Sequence, residues 1–92
     1  IGPDKVYLVQ VAAFEDPARA RRMVHDLDEA GYPATILKLY DQEHKLYQTI
    51  FIAAKPTLEQ AQEAARAYNE ASGQDSFVRP LGVDIFEKAL AR

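Results

Sequence analysis

Val9-Gln10-Val11-Ala12-Ala13 is answered later in the chain by Ile50-Phe51-Ile52-Ala53-Ala54. Each stretch alternates apolar residues in the strand manner and then runs into paired alanines. The likeness continues past both. Helix-cap candidates follow at Asp16 and Thr57, Ala20 falls opposite Ala61, and Glu29-Ala30 falls opposite Glu70-Ala71. Each copy therefore reads as a strand, a tight entry, an amphipathic helix and a second strand. Two copies in one small domain give the order βαββαβ. With both helices on one face of a four-stranded antiparallel sheet, the other face is left to water. That face is the first place to look for function.

The rest of the chain fills in this plan. Residues 1–4 read as a linker end. Lys5 to Ala13 forms the first strand, with Tyr7, Val9, Val11 and Ala13 facing one way and Leu8, Gln10 and Ala12 the other. Asp16 as N-cap with Pro17 at the first helical position starts a helix. Ala20, Met23, Val24 and Leu27 give it a buried stripe, and Gly31 ends it. Residues 34–40 form the second strand, whose register is open between Leu37/Leu39 and Ile36/Lys38. The polar stretch 41–45 is a hairpin loop, and Leu46 to Ala54 is the third strand. Thr57 caps a helix with Leu58, Ala61, Ala65 and Tyr68 on its stripe, Ser72-Gly73 closes it, and Ser76 to Leu81 is the fourth strand. Tyr7 and Phe14 are expected in the core, and Tyr32 and Tyr68 are expected to pack at helix ends. The tail from Gly82 to Arg92 predicts a short C-terminal helix. Val83, Ile85, Phe86, Ala89 and Leu90 are too apolar to float free, so the tail is expected to dock on the domain. The fold class is α+β, ferredoxin-like or RNP-like.

Ninety-two residues make one domain, able to bury a modest core without staples. A net charge of −3 argues against a duplex nucleic-acid binder, which needs a basic footprint. No apolar run approaches the roughly 20 residues of a membrane span. The first residue is Ile1 rather than Met, which reads as a piece of a longer protein, so missing targeting signals carry little weight. The absence of cysteine excludes disulfides and thiol chemistry and suits any compartment. No nucleophile motif or phosphate loop is present, and Ser72 and Ser76 belong to neither. His25 lies off the helix stripe and His44 lies in a loop, neither at metal-ligand spacing with a second donor. The chain is expected not to be an enzyme, and neither cofactor nor metal is expected.

The segment Tyr7-Leu8-Val9-Gln10-Val11-Ala12-Ala13-Phe14 resembles the opening signature of SPOR domains, an aromatic or apolar lead-in followed by Val-Gln-apolar-small-small-Phe. Downstream, Ala30-Gly31-Tyr32 is similar to the family's first helix end, and Phe77-Val78-Arg79-Pro80-Leu81 to its closing strand. The resemblance covers roughly residues 5–81 and leaves 82–92 as a helical extension. One stretch departs from it. SPOR domains commonly carry an Arg-Val-Arg-Val-Gly-Pro-Phe-like third strand, where this chain reads Thr49-Ile50-Phe51-Ile52-Ala53-Ala54-Lys55. The resemblance implies a non-catalytic module that binds peptidoglycan glycan strands lacking stem peptides. Such a module targets a membrane- or lipid-anchored parent protein to the division septum, in the periplasm or extracytoplasmic cell envelope.

Alternation and the resemblance together select the glycan-binding candidates Gln10, Ala13, Tyr47, Thr49, Phe51, Phe77 and Arg79. Aromatic rings offer a bed for the apolar C–H faces of sugars, while amide, hydroxyl and guanidinium groups meet their polar edges. Arg79 has a natural partner in the lactyl carboxylate that muramic acid exposes once its peptide is gone. Ala13 enters through the family motif, although strict alternation turns it toward the helices. Phe51 lies either on the platform or beneath the C-terminal segment. The same element order also serves RNA-recognition motifs, where sheet aromatics stack bases, but the acidic balance and the lack of their basic-aromatic third-strand signature oppose a nucleic-acid partner. The competing reading is a protein–protein interaction or self-association domain that uses the open sheet face.

Overall fold

The computed structural model describes residues 4–91, so residues 1–3 of the expected linker end and the final Arg92 lie outside the described residues. The chain runs β1 (Lys5–Phe14), α1 (Pro17–Glu29), β2 (Thr35–Tyr40), β3 (Leu46–Lys55), α2 (Leu58–Ser72), β4 (Phe77–Gly82) and α3 (Val83–Leu90). The strands form one antiparallel sheet in the order β2-β3-β1-β4. This is the expected βαββαβ architecture with its short C-terminal helix.

Local chemistry fixes the helix ends. The Asp16 carboxylate accepts from the Ala18 amide at 2.9 Å, and Pro17 follows in the first turn. At the other end of α1, Gly31 takes φ 92°, which only glycine adopts without strain. Its amide donates to Asp28 O at 3.1 Å and the Tyr32 amide to Leu27 O at 2.8 Å, the paired bonds of a Schellman stop. In α2, Thr57 Oγ1 accepts from the Gln60 amide at 3.2 Å. Gly73 at φ 72° ends that helix.

α1 and α2 cover one sheet face. Ala20, Leu27, Ile50 and Tyr68 form one buried cluster there, and Val9, Ala61 and Ala65 form another. Tyr32 and Tyr68 meet edge to face with centroids 5.0 Å apart, tying the end of α1 to α2. Tyr7 and Phe14 join these clusters as partly buried members. In β2, Ile36 packs on this side while Leu37 and Leu39 belong to the opposite face, which resolves the open register.

The sequence repeat has a structural counterpart that strict alternation misses. Along the β1–β3 ladder, Val9 pairs with Ala53, Gln10 with Phe51 and Ala12 with Ile50, so Ile52 and Val11 are each left over. The two leftover residues occupy equivalent positions of the two copies, and each makes a bulge. At each bulge two successive residues serve the helix side: Val11 and Ala12 pack in the Ile50 cluster, and Ile52 and Ala53 in the Val9 cluster. The expected facing of Ala12 and Ala13 is thereby reversed. Ala12 lies under the helices, while Ala13 pairs with Thr49 and is exposed on the other face.

That other face is only half open. α3 docks across it, as expected of the apolar tail, and builds a cluster of Leu8, Leu37, Leu39, Phe51 and Ala89 with Val6, Leu81 and Phe86 at its margin. The Val83 amide donates to Asp4 O at 3.1 Å and fixes the start of the helix. Asp84 in its first turn and Lys88 in its last oppose the helix dipole favourably. Leu8 and Val9 are both fully buried, Leu8 beneath α3 and Val9 beneath α2.

Candidate functional site

The uncovered half of the face holds a shallow cleft of ≈ 170 Å³ lined by Ala13, Leu39, Tyr40, Tyr47, Thr49 and Arg79, with Asp41 at its rim. The ladders explain why these side chains converge. Ala13 and Leu37 flank Thr49, Tyr47 pairs with Leu39, and Tyr40 pairs with Leu46, where β2 and β3 end in the hairpin. The hairpin is tightly made. Asp41 Oδ1 accepts from the Glu43 and Lys45 amides, each at 2.8 Å, so this carboxylate is committed to the loop backbone. His44 takes φ 62° at the turn. Beside it, Lys45 Nζ meets Glu15 Oε1 at 3.2 Å, joining the hairpin to the end of β1. Hydrogen bonding and charge from Glu15, with a smaller contribution from Tyr47, raise the Lys45 amine above its ordinary value.

Two polar features lie at the cleft, one on its surface and one beneath it. Arg79 reaches from β4 over β1, and its Nη1 donates to Gln10 Oε1 across a long 3.4 Å. Gln10 is itself buried, so this contact braces the guanidinium against a fixed amide. Thr49 is fully buried at the cleft floor, and its Oγ1 has no hydrogen-bond partner among the described residues. A buried polar atom left without a partner costs roughly 1–3 kcal/mol. The hydroxyl is closed to solvent and lies beneath the cleft surface.

Each candidate from the sequence has a definite place. Ala13, Tyr47, Thr49 and Arg79 line one cleft, and Gln10 supports it through Arg79. Phe51 lies elsewhere. It is buried under α3 with its ring edge-on to Phe86, centroids 6.0 Å apart, so it builds the floor of the α3 contact and offers no open ring. Phe77 pairs with Gln10 but sits on the edge strand, 55% exposed, and lines a separate depression with Leu58 and Arg66 of α2. Sequence reasoning missed Leu39, Tyr40 and Asp41. Alternation groups Tyr40 with Ile36 on the helix side, and it lines the cleft instead from the end of β2, an edge strand.

The class of molecule these features define is a small α+β domain with a half-covered sheet face and a cleft on its open half. The SPOR domain family matches residues 3–80, and the chain belongs to that family. SPOR domains are peptidoglycan-binding modules of envelope proteins that act in division, a binding family rather than a catalytic one. Comparison with curated proteins and with solved structures finds no match.

Proposed function

We propose that this chain is a non-catalytic module that holds peptidoglycan glycan strands lacking stem peptides against the open half of its sheet. It would thereby target a membrane- or lipid-anchored parent envelope protein to the division septum, in the periplasm or extracytoplasmic envelope. The observation that carries this reading is the cleft that gathers the Tyr47 ring and the braced Arg79 guanidinium.

Its dimensions favour a polymer laid across a surface. At ≈ 170 Å³ the cleft falls below the roughly 300 Å³ at which enclosed small-molecule pockets begin. One sugar ring resting on Tyr47 suits it better than an engulfed ligand. Charge supplies the discrimination. In an intact strand the lactyl group is an amide to the stem peptide and carries no charge, whereas removal of the peptide exposes a carboxylate that a guanidinium can grip through two parallel bonds. The competing reading, self-association through the sheet face, loses much of its surface. α3 already covers the apolar half of that face, including Leu8 and Phe51.

The test is retention of the chain on intact sacculi and on sacculi treated with an amidase that removes stem peptides. Preference for the treated material, weakened by Arg79→Ala and Tyr47→Ala in folded variants, is the expected result. Equal retention on both, or no effect of either substitution, overturns it.

A further inference from the structure

α3 lies beyond the residues matched to the family, yet it does more than close the core. Between α3 and the edge strand β2 runs a second cleft of ≈ 320 Å³, whose walls include Lys38, Tyr40, Arg79, Leu81, Ile85 and Lys88. It shares Leu39, Tyr40 and Arg79 with the first cleft, so the two are continuous and Arg79 stands between them. Three of its residues are cationic and none is acidic, in a chain whose net charge is −3. Among the described residues, neither Lys38 nor Lys88 forms an ion pair. The acids of α3 lie outside this lining: the Asp84 carboxylate sits by Gly82, and Glu87 faces the opposite flank with Lys5 and Val6. Ile85 remains 52% exposed on a helix otherwise docked by Ala89 and Phe86, and it gives the cleft an apolar wall.

We infer that the cleft between α3 and β2 is a second anionic-sugar subsite. In it Lys38 and Lys88 take the carboxylate of the next repeat unit along the same glycan strand, while Ile85 and Tyr40 bracket its ring. The inference rests on the reading of the first cleft given above and extends it to an element outside the family match. The two clefts in line demand a guest that repeats both an apolar ring face and a carboxylate, which a peptide-free strand does in every disaccharide.

The experiment measures binding of the chain and its variants to peptide-free disaccharides and to longer peptide-free strands. Each strand is also presented with its carboxylates chemically reduced to alcohols. Lys88→Gln and Lys38→Gln change exposed side chains, and circular dichroism checks their folding. The expected result is that each weakens binding to the longer strands by about two- to fivefold, the scale of an exposed charge pair. Neither alters binding of the single disaccharide, and the loss disappears on the reduced strands. If both variants match the unmodified chain on long native strands while Arg79→Ala still loses binding, the second subsite is wrong and the first cleft stands. If the unmodified chain binds no strand at all, the reading of the first cleft fails and this inference fails with it.

Discussion

Phe86 of α3 meets Phe51 of β3 edge-on at 6.0 Å, and this contact decides which half of the sheet face is open. Phe51 is 7% exposed, whereas Phe86 is partly exposed at the margin of the same cluster. Phe51→Ala should therefore cost about 3–5 kcal/mol, as for a large-to-small change in a core, and Phe86→Ala less. Urea denaturation checks both. If Phe86→Ala leaves stability unchanged, α3 is not held by this contact.

Thr49 offers a separation of stability from binding. Thr49→Val keeps the shape and removes a hydroxyl that has no partner in the free protein. The variant should be as stable as the unmodified chain or more so, by up to about 1 kcal/mol, since replacing an unsatisfied buried group by an apolar one is neutral or favourable. It should bind amidase-treated sacculi as well as the unmodified chain does, because the hydroxyl lies beneath the cleft surface. A destabilised Val variant would mean that the hydroxyl has a structural partner after all.

Arg79 and Gln10 form a pair in which one residue holds the other. Arg79→Ala should weaken binding to peptide-free strands by about 1.5–3 kcal/mol, the range for hydrogen bonds to charged groups. Arg79→Lys keeps the charge without the planar fork and should recover only part of that loss. Gln10→Ala should show a smaller loss, because it loosens the guanidinium without removing it. Titration calorimetry with defined strands distinguishes the three, and full recovery by Lys would mean that charge alone matters.

The hairpin carries a pH-dependent contact. Glu15 raises the Lys45 amine above its ordinary 10.5, chiefly by accepting its hydrogen bond. A group whose folded pKa is raised stabilises fully below its unfolded pKa and loses that contribution as pH climbs through the folded value. The unmodified chain should therefore exceed Glu15→Gln in stability at neutral pH, with the gap closing as pH climbs past 10.5 and through the raised folded value. High salt should also shrink the gap, because both side chains are 57% exposed. Denaturation series at several pH values provide the measurement, and a gap that survives alkaline pH would point to a cause other than this charge pair.

Much of the fold was legible because local signals agreed with one another. Asp16-Pro17, Gly31, Thr57 and Gly73 each mark a helix end by a mechanism written in one or two residues, and the structure uses all four. The repeat gave the element order. It did not give the bulges at Val11 and Ile52, since a bulge depends on how two strands register and not on the pattern within either. For that reason alternation turned Ala13 inward, while its place in the family motif set it near the site. The fate of Phe51 depended on the tail. Its position on the face followed from alternation, but only the docking of α3 shows that the ring is covered. Tyr40 and Lys38 were invisible as site residues because alternation groups them with Ile36 on the helix side, and only their place on the edge strand lets them line the clefts.

The matched bulges give β1 and β3 an approximate dyad centred near the Gln10–Phe51 pair, with Ala13 and Ala54 in corresponding places on the same sheet surface. The dyad relates two lanes of like backbone but unlike side chains, with Leu8 in one answered by Thr49 in the other and Gln10 by Phe51. Phe86 sits beside Ala54 in one lane, whereas Ala13 keeps the other clear. The helix thus adds a difference in cover to the difference in side chains, and the two lanes of a duplicated backbone end up unlike in both chemistry and access.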